Sequence, residues 1–380
     1  MNTPYHRLGD YIREVNVRNR DLKVTKLVGL TIDKAFIPSV ANVIGTDLSN
    51  YKVIRKEQFA CSLMQVSRDG KMPIAMFEED EAIMSPAYPM FEVVDKTMLM
   101  PQYLMMWFSR SEFDREASYY AVGGVRGSLT WEDFCNMRLP VPTLSRQREL
   151  VAEYETLTHR IRLNEQMIAK LEETAQALYR KMFVEGIDKE RLPEGWRMGK
   201  LGEYCKEMKS GGTPSRNHNE YWEKKEYPWL KSGEIHNNII VSVEEYISKA
   251  GLDNSSAKII PRGAVTMAMY GATAAQVAYL DCDTTTNQAC CNMICHSKED
   301  AAYLFFHLLA NQDNIKKLAN GGAQENLSQE LISQQPIFIF NDKETKSLFV
   351  PLLDNLINRY KENEILKESL SLLLAKLGKE

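Results

Sequence analysis

The strongest constraint on this 380-residue chain is that its second half repeats its first. Leu8-Gly9-Asp10-Tyr11 is matched by Leu201-Gly202-Glu203-Tyr204, and Gly123-Gly124 followed by Leu129 is matched by Gly321-Gly322 followed by Leu327. After each glycine pair comes a proline-bearing run that reads as a strand, at 137–142 and 335–340, and then a charged helical segment. The offset is 193 residues at the first match and 198 at the second, so order and spacing are both kept. Such a repeat means two copies of one supersecondary plan, and a fold assigned to one half must serve for the other.

The helical segments carry the clearest periodicity. In the first, Leu150, Tyr154, Leu157, Ile161, Asn164, Ile168, Leu171, Ala175, Leu178 and Met182 recur at alternating steps of four and three. In the second, Phe349, Leu353, Leu356, Tyr360, Asn363, Leu370, Leu374 and Leu377 keep the same phase, and Lys367 breaks it once. This is the heptad seam of a coiled coil. Asn164 and Asn363 hold equivalent seam positions, each near the middle of a helix of about 36 residues, roughly 54 Å long at 1.5 Å per residue. If the helices pack antiparallel the midpoints meet, so the two amides are expected to hydrogen-bond and set the helix register, as polar seam residues do.

The layout is therefore a first globular domain (1–145), a long helix (146–185), a second globular domain (186–341) and a second long helix (342–380). The globular parts read as α/β (α+β). Strands are expected at 25–32, 58–66, 264–269 and 276–280, and shorter helices at 102–116 and 301–318, with Gly, Pro, Asn and Asp between them. Residues 188–194, with the turn Leu192-Pro193-Glu194-Gly195-Trp196, read as the linker into the second domain.

With 44% hydrophobic and 26% charged residues the composition is that of a soluble globular protein. The longest apolar stretch, 97–108, is interrupted by Pro101 and Gln102 and is too short to cross a bilayer. The N-terminus shows no signal-peptide pattern, so a cytoplasmic location and no membrane partner are expected. Seven scattered cysteines fit reduced thiols. Cys282, Cys290, Cys291 and Cys295, beside His296, lack the paired spacing of zinc sites and read as thiols on a strand, so no metal is expected. The net charge of −4 counts against a nucleic-acid partner, but only the surface that faces DNA must be basic.

No catalytic constellation is found. Neither Gly-x-Gly-x-x-Gly nor Gly-x₄-Gly-Lys-[Ser/Thr] occurs, and the glycine-rich run 123–127 precedes a predicted strand instead of opening a helix. The tetrapeptide of base-amino methyltransferases is missing; its nearest string, Ser85-Pro86-Ala87-Tyr88, lacks the amide or carboxylate that would bond the exocyclic amine. There is no Gly-x-Ser-x-Gly elbow, and the six histidines form no His-x₃-His pair. Glu78-Glu79-Asp80-Glu81 reads as a solvated acidic loop. No catalytic residue is assigned.

Leu192-Pro193-Glu194-Gly195-Trp196 leading to Leu201-Gly202, then Ser210-Gly211-Gly212-Thr213-Pro214, Tyr221-Trp222 and Pro228-Trp229-Leu230-Lys231-Ser232-Gly233-Glu234-Ile235, closely resembles the opening of a target recognition domain. Such domains belong to the specificity subunits of type I restriction-modification enzymes. Asn287-Gln288 and the glycine pair before the terminal strand fit the same pattern, and Ser85-Pro86-Ala87-Tyr88 and Pro140-Val141-Pro142 look like counterparts in the first half. The resemblance covers nearly the whole chain, specific in the second domain and diffuse in the first. It departs at the N-terminus, which lacks the Pro-x-Gly-Trp of 193–196, and at the second long helix, which begins Phe340-Asn341-Asp342.

The resemblance implies a non-catalytic subunit with no cofactor of its own. It would bind double-stranded DNA between two methylation subunits holding S-adenosylmethionine, with motor-nuclease (restriction) subunits supplying ATP- and Mg-dependent translocation and cleavage. The duplication carries the same logic. Two domains about one duplex turn apart (~34–36 Å) meet the same groove face, and halves that differ in sequence should read different half-sites, giving a bipartite asymmetric target.

Base reading needs fixed donors and acceptors, and phosphate contacts need cations, hydroxyls or free N–H groups. In the second domain the DNA-binding candidates are Lys209, Ser210, Thr213, Ser215, Arg216, Lys231 and Ser232, around a Gly211-Gly212 loop that could approach a phosphate, and Tyr270 with Thr273. In the first domain they are Arg68 and Lys71 in the corresponding inter-strand turn, Asn16, Arg18 and Arg20 after an opening helix, and Arg126. Two rival readings stand beside this one: a stand-alone DNA methyltransferase or nuclease, and a coiled-coil protein-interaction scaffold.

Overall fold

The computed structural model describes residues 4–378 apart from 40–44, 65, 124–127, 186, 189, 237 and 320–325. The chain divides into two compact units, 1–161 with 365–380, and 162–364.

In the first unit the strand Tyr5–Arg7 pairs antiparallel with Arg138–Pro140, the strand just before the first long helix. One 3-10 turn, Leu8–Asp10, follows it; this is all there is of the expected opening helix. Gly9 is required there, because a Cβ would stand 2.9 Å from that of Cys135. A four-stranded antiparallel sheet then runs in the order Ile12–Glu14, Met90–Val93, Phe59–Cys61, Ile74–Met76. A second group pairs Phe36–Pro38 with Val28–Leu30, and Lys52–Arg55 with Glu81–Met84, and Leu27 forms a parallel bridge to Ile83. Stacked Phe59 and Phe91, with Phe108, Phe113 and Phe134, fill the core, and Leu150, Val151, Leu373 and Leu377 of the long helices join it.

The second unit repeats this plan. Arg197–Lys200 pairs antiparallel with Pro336–Ile339, the turn Leu201–Tyr204 follows, and Gly202 packs on Ser333. Its main sheet runs Glu207–Ser210, Cys290–Ile294, Val265–Ala268, Val277–Leu280, Ile239–Ile240; the first four strands keep the order of their counterparts. The other sheet runs Glu245–Ile247, Tyr227–Leu230, Thr284–Thr286, Ile259–Ile260, with one parallel pair between two antiparallel ones. The bridge from Leu27 to Ile83 puts the same parallel step at the same place in the first unit. The duplication read from the sequence is thus a duplication of topology.

The long helices span Leu144–Arg180, continued by a π-helical turn Lys181–Glu185, and Val350–Leu377, preceded by a short helix Lys343–Ser347. They run antiparallel within each unit: Ala152 and Leu157 share a groove with Lys376 and Ser369, and Asn164 meets Asn363. The heptad positions face inward, but Tyr179 and Phe183, off the seam, are the more buried at the helix end, where Tyr179 stacks on Tyr303 and Phe183 packs against it at a tilt.

Several expected elements differ. The helix expected at 102–116 is two, Pro101–Phe108 and Ser111–Gly123. At the break, Arg110 is buried, lies 4.0 Å above the Trp107 ring, and donates to the Leu374 carbonyl at 3.1 Å. The strand expected at 58–66 ends at Cys61, and Val66 begins a helical turn. The linker turn is anchored by Trp196 stacked on Phe340, centroids 4.0 Å apart. Both glycine pairs fall wholly or partly outside the described residues. Among the described residues no helix is long and apolar enough to cross a membrane.

Candidate nucleic-acid interface

In the second unit the strand ends converge on Asn287-Gln288. The backbone fixes this hub: Asn287 N–H donates to the Leu230 carbonyl at 3.0 Å, and Gly212 N–H to the Thr286 carbonyl at 2.8 Å. Gly211 and Gly212 serve that packing. A Cβ on Gly211 would stand 2.1 Å from the Thr286 carbonyl oxygen, and one on Gly212 2.4 Å from the Ser256 carbonyl carbon. The glycine pair therefore lets the chain approach itself closely.

Around the hub, Thr213 donates to the Gln288 side-chain oxygen, Asn287 Nδ2 to Ser232 Oγ at 3.4 Å, and Tyr270 Oη to the Gln288 carbonyl at 3.4 Å. The turn Gly271–Thr273 lies against the turn Ser232–Glu234. Thr213, Lys231, Ser232, Tyr270 and Thr273 thus share one polar patch. Gln288 belongs to it too, an exposed amide that sequence reasoning placed in the family pattern but not among the DNA contacts.

The other candidates, and Lys231 within the patch, have intramolecular partners. Lys209 pairs with Glu207 at 2.8 Å, and Ser210 donates to Gln329, whose amide donates to the Met208 carbonyl. Ser215 Oγ accepts from the Asn217 N–H at 3.4 Å, and the Ser215 carbonyl from Trp222 Nε1 at 3.2 Å. Arg216 lies 3.5 Å over the Trp222 ring and pairs with Glu245 at 2.6 Å. Lys231 Nζ sits 3.0 Å from Glu245 and 2.9 Å from Glu244, and these two carboxylates hold its pKa above the usual lysine value. Partial burial pushes Glu245 up, but the hydrogen bonds from Arg216 and Lys231 outweigh it and keep it below the ordinary glutamate value. Arg216 and Lys231, both candidates for DNA contact, are thus paired with carboxylates.

In the first unit Asn16 is exposed just past Ile12–Glu14, where Gly211-Gly212 stand in the second. Arg18 donates to the Asn50 carbonyl at 2.6 Å and Arg20 to the Asn50 side chain at 3.1 Å. Arg68 is paired with Asp69 in the connection between Phe59–Cys61 and Ile74–Met76, the topological counterpart of the Tyr270–Thr273 connection, and Lys71 is exposed just beyond. Lys52 is buried and donates to the Tyr88 carbonyl at 2.8 Å, tying down the Ser85–Tyr88 turn that follows the strand equivalent to Thr284–Thr286. Arg126 lies outside the described residues. Of the cysteines, Cys290 and Cys291 are buried on one strand.

Two copies of one α+β topology, each with polar side chains at the same strand ends and each packed on segments of two long helices, define a protein built by internal duplication. Residues 193–370 match the type I restriction modification DNA specificity domain. The chain is similar to the specificity subunits of type I restriction-modification enzymes. It is 30% identical over 224 residues to the HindI specificity subunit of Haemophilus influenzae, covering 55% of this chain and 47% of that one. It is 25% identical over 165 residues to the EcoR124I/EcoR124II specificity subunit of Escherichia coli, covering 42% and 40%. In these matches the chain spans less than half the length of each relative. A solved type I restriction-modification S subunit from M. genitalium shares the fold, with a TM-score of 0.61 at 12% identity over 99% of this chain and 96% of that one.

Proposed function

We propose that this chain is the sequence-reading subunit of a type I restriction-modification complex, recognising a bipartite asymmetric site in double-stranded DNA. The observation that carries the reading is one topology used twice with different polar residues at equivalent strand ends. Thr213, Ser232, Tyr270 and Thr273 stand in one copy and Asn16, Arg18, Arg20, Arg68 and Lys71 in the other. Equal frames with unequal donors and acceptors should select unequal half-sites.

The chain itself performs no chemistry in this reading. Two methylation subunits bring S-adenosylmethionine, and restriction subunits bring the ATP- and Mg-dependent motor and nuclease, all in the cytoplasm. The test is to assemble the full chain with its methylation subunit and select from a randomised duplex library. Two enriched blocks separated by unread positions are expected. Absence of any enrichment would contradict the reading and favour an interaction scaffold, and DNA modification or cutting by the chain alone, with S-adenosylmethionine or magnesium, would favour an independent enzyme.

A further inference from the structure

The cations of the second unit's patch are not merely paired; they share one carboxylate. Glu245 receives Arg216 on one oxygen, at 2.6 Å, and Lys231 on the other, at 3.0 Å. Glu244 also pairs with Lys231, at 2.9 Å, and its own N–H is fixed by Glu234 Oε2 at 2.9 Å. Glu234 also accepts from the Lys231 N–H. Arg216 lies over the Trp222 ring, 3.5 Å from its centroid, which with the Glu245 pair fixes where its charge sits. Yet half of the Arg216 side chain and a third of that of Lys231 remain exposed, beside Thr213 and Ser232.

We infer that Glu245, with Glu244, masks Arg216 and Lys231 and so withholds the patch's cations from DNA of the wrong sequence. This rests on the reading that the patch meets DNA. Non-specific binding draws almost entirely on phosphate contacts, whereas specific binding adds base contacts. A mask that must be displaced before phosphates can be gripped therefore penalises non-specific DNA proportionally more. Exposed ion pairs are individually weak, so a correctly docked duplex can open these. The carboxylates also repel phosphate, a built-in discrimination against partners that offer charge alone.

The test measures fluorescence anisotropy of the full chain assembled with its methylation subunit, on a random-sequence duplex and on the selected target, over a range of salt. Glu245→Gln and, separately, the far more exposed Glu244→Gln should raise affinity for the random duplex severalfold. Target affinity should change less, and the random-duplex salt slope should steepen by about 0.9 for each cation freed. Lys231→Ala added to Glu245→Gln should cut the gain to the share carried by Arg216, and adding Arg216→Ala as well should abolish it. Unchanged random-duplex affinity and slope in both single variants, or a gain that survives removal of both cations, would overturn the mask. Failure of the wild-type assembly to bind any duplex would instead overturn the functional reading beneath it.

Discussion

Asn164 Nδ2 donates to Asn363 Oδ1 at 2.9 Å, and both amides are buried where the two long helices cross mid-length. Arg359 adds a donor to Asn164 Oδ1 at 3.2 Å while pairing with Glu362 at 2.6 Å. A buried amide that loses its partner retains its desolvation cost, whereas two apolar replacements remove it. Asn363→Leu alone is therefore expected to destabilise the chain by about 1–3 kcal/mol. Adding Asn164→Leu should cost less than the two single changes summed. Urea unfolding of the two single variants and the double variant measures that coupling; additive losses would deny that the amides act as a pair and set the register.

Gly211→Ala and Gly212→Ala should each destabilise the second unit by at least about 1–3 kcal/mol, since the obstructing atoms are largely backbone and cannot rotate away. Thermal unfolding reads this directly. Near-neutral variants would deny that the close approach requires glycine at these positions.

His307 is fully buried, with Nδ1 2.6 Å from Tyr179 Oη, and burial lowers its pKa to about 4. An unfolded histidine titrates near 6.5, so below that pH the unfolded chain takes up a proton that the folded chain refuses. Stability from this group is complete above about 6.5 and is lost as the pH falls toward 4, by an amount on the order of 3 kcal/mol. Melting temperatures of the wild type and His307→Gln at pH 7.5 and 5.0 should show the shallower pH dependence in the variant. Parallel losses would place the acid sensitivity elsewhere.

The frame was legible in the sequence because its signals are local or repeated. Leu8-Gly9 and Leu201-Gly202 mark the same turn, and Asn164 and Asn363 stand out in an apolar seam. What was hidden depends on residues distant along the chain. Nothing near Arg216 or Lys231 names Glu245 as their common partner, which reaches them through strand pairing of Tyr227–Leu230 with Glu245–Ile247. The helix break at Ser109 and Arg110 depends on a carbonyl at Leu374. Short strands such as Phe59–Cys61 are cut by tertiary context, not by propensity.

Lys231→Ala is expected to weaken binding of the selected target and reduce its salt slope by about 1, as a phosphate contact would, and to change random-duplex binding little while Glu244 and Glu245 hold the lysine. Arg216→Ala should also lower thermal stability, because its guanidinium covers Trp222. Loss of discrimination at a single base position, with the slope intact, would instead make either residue a base reader.

The most direct measurement is genome-wide sequencing of methylated adenine in the source organism with and without this gene. One bipartite asymmetric motif should vanish on deletion and return on complementation. An unchanged methylation pattern would contradict the proposed role.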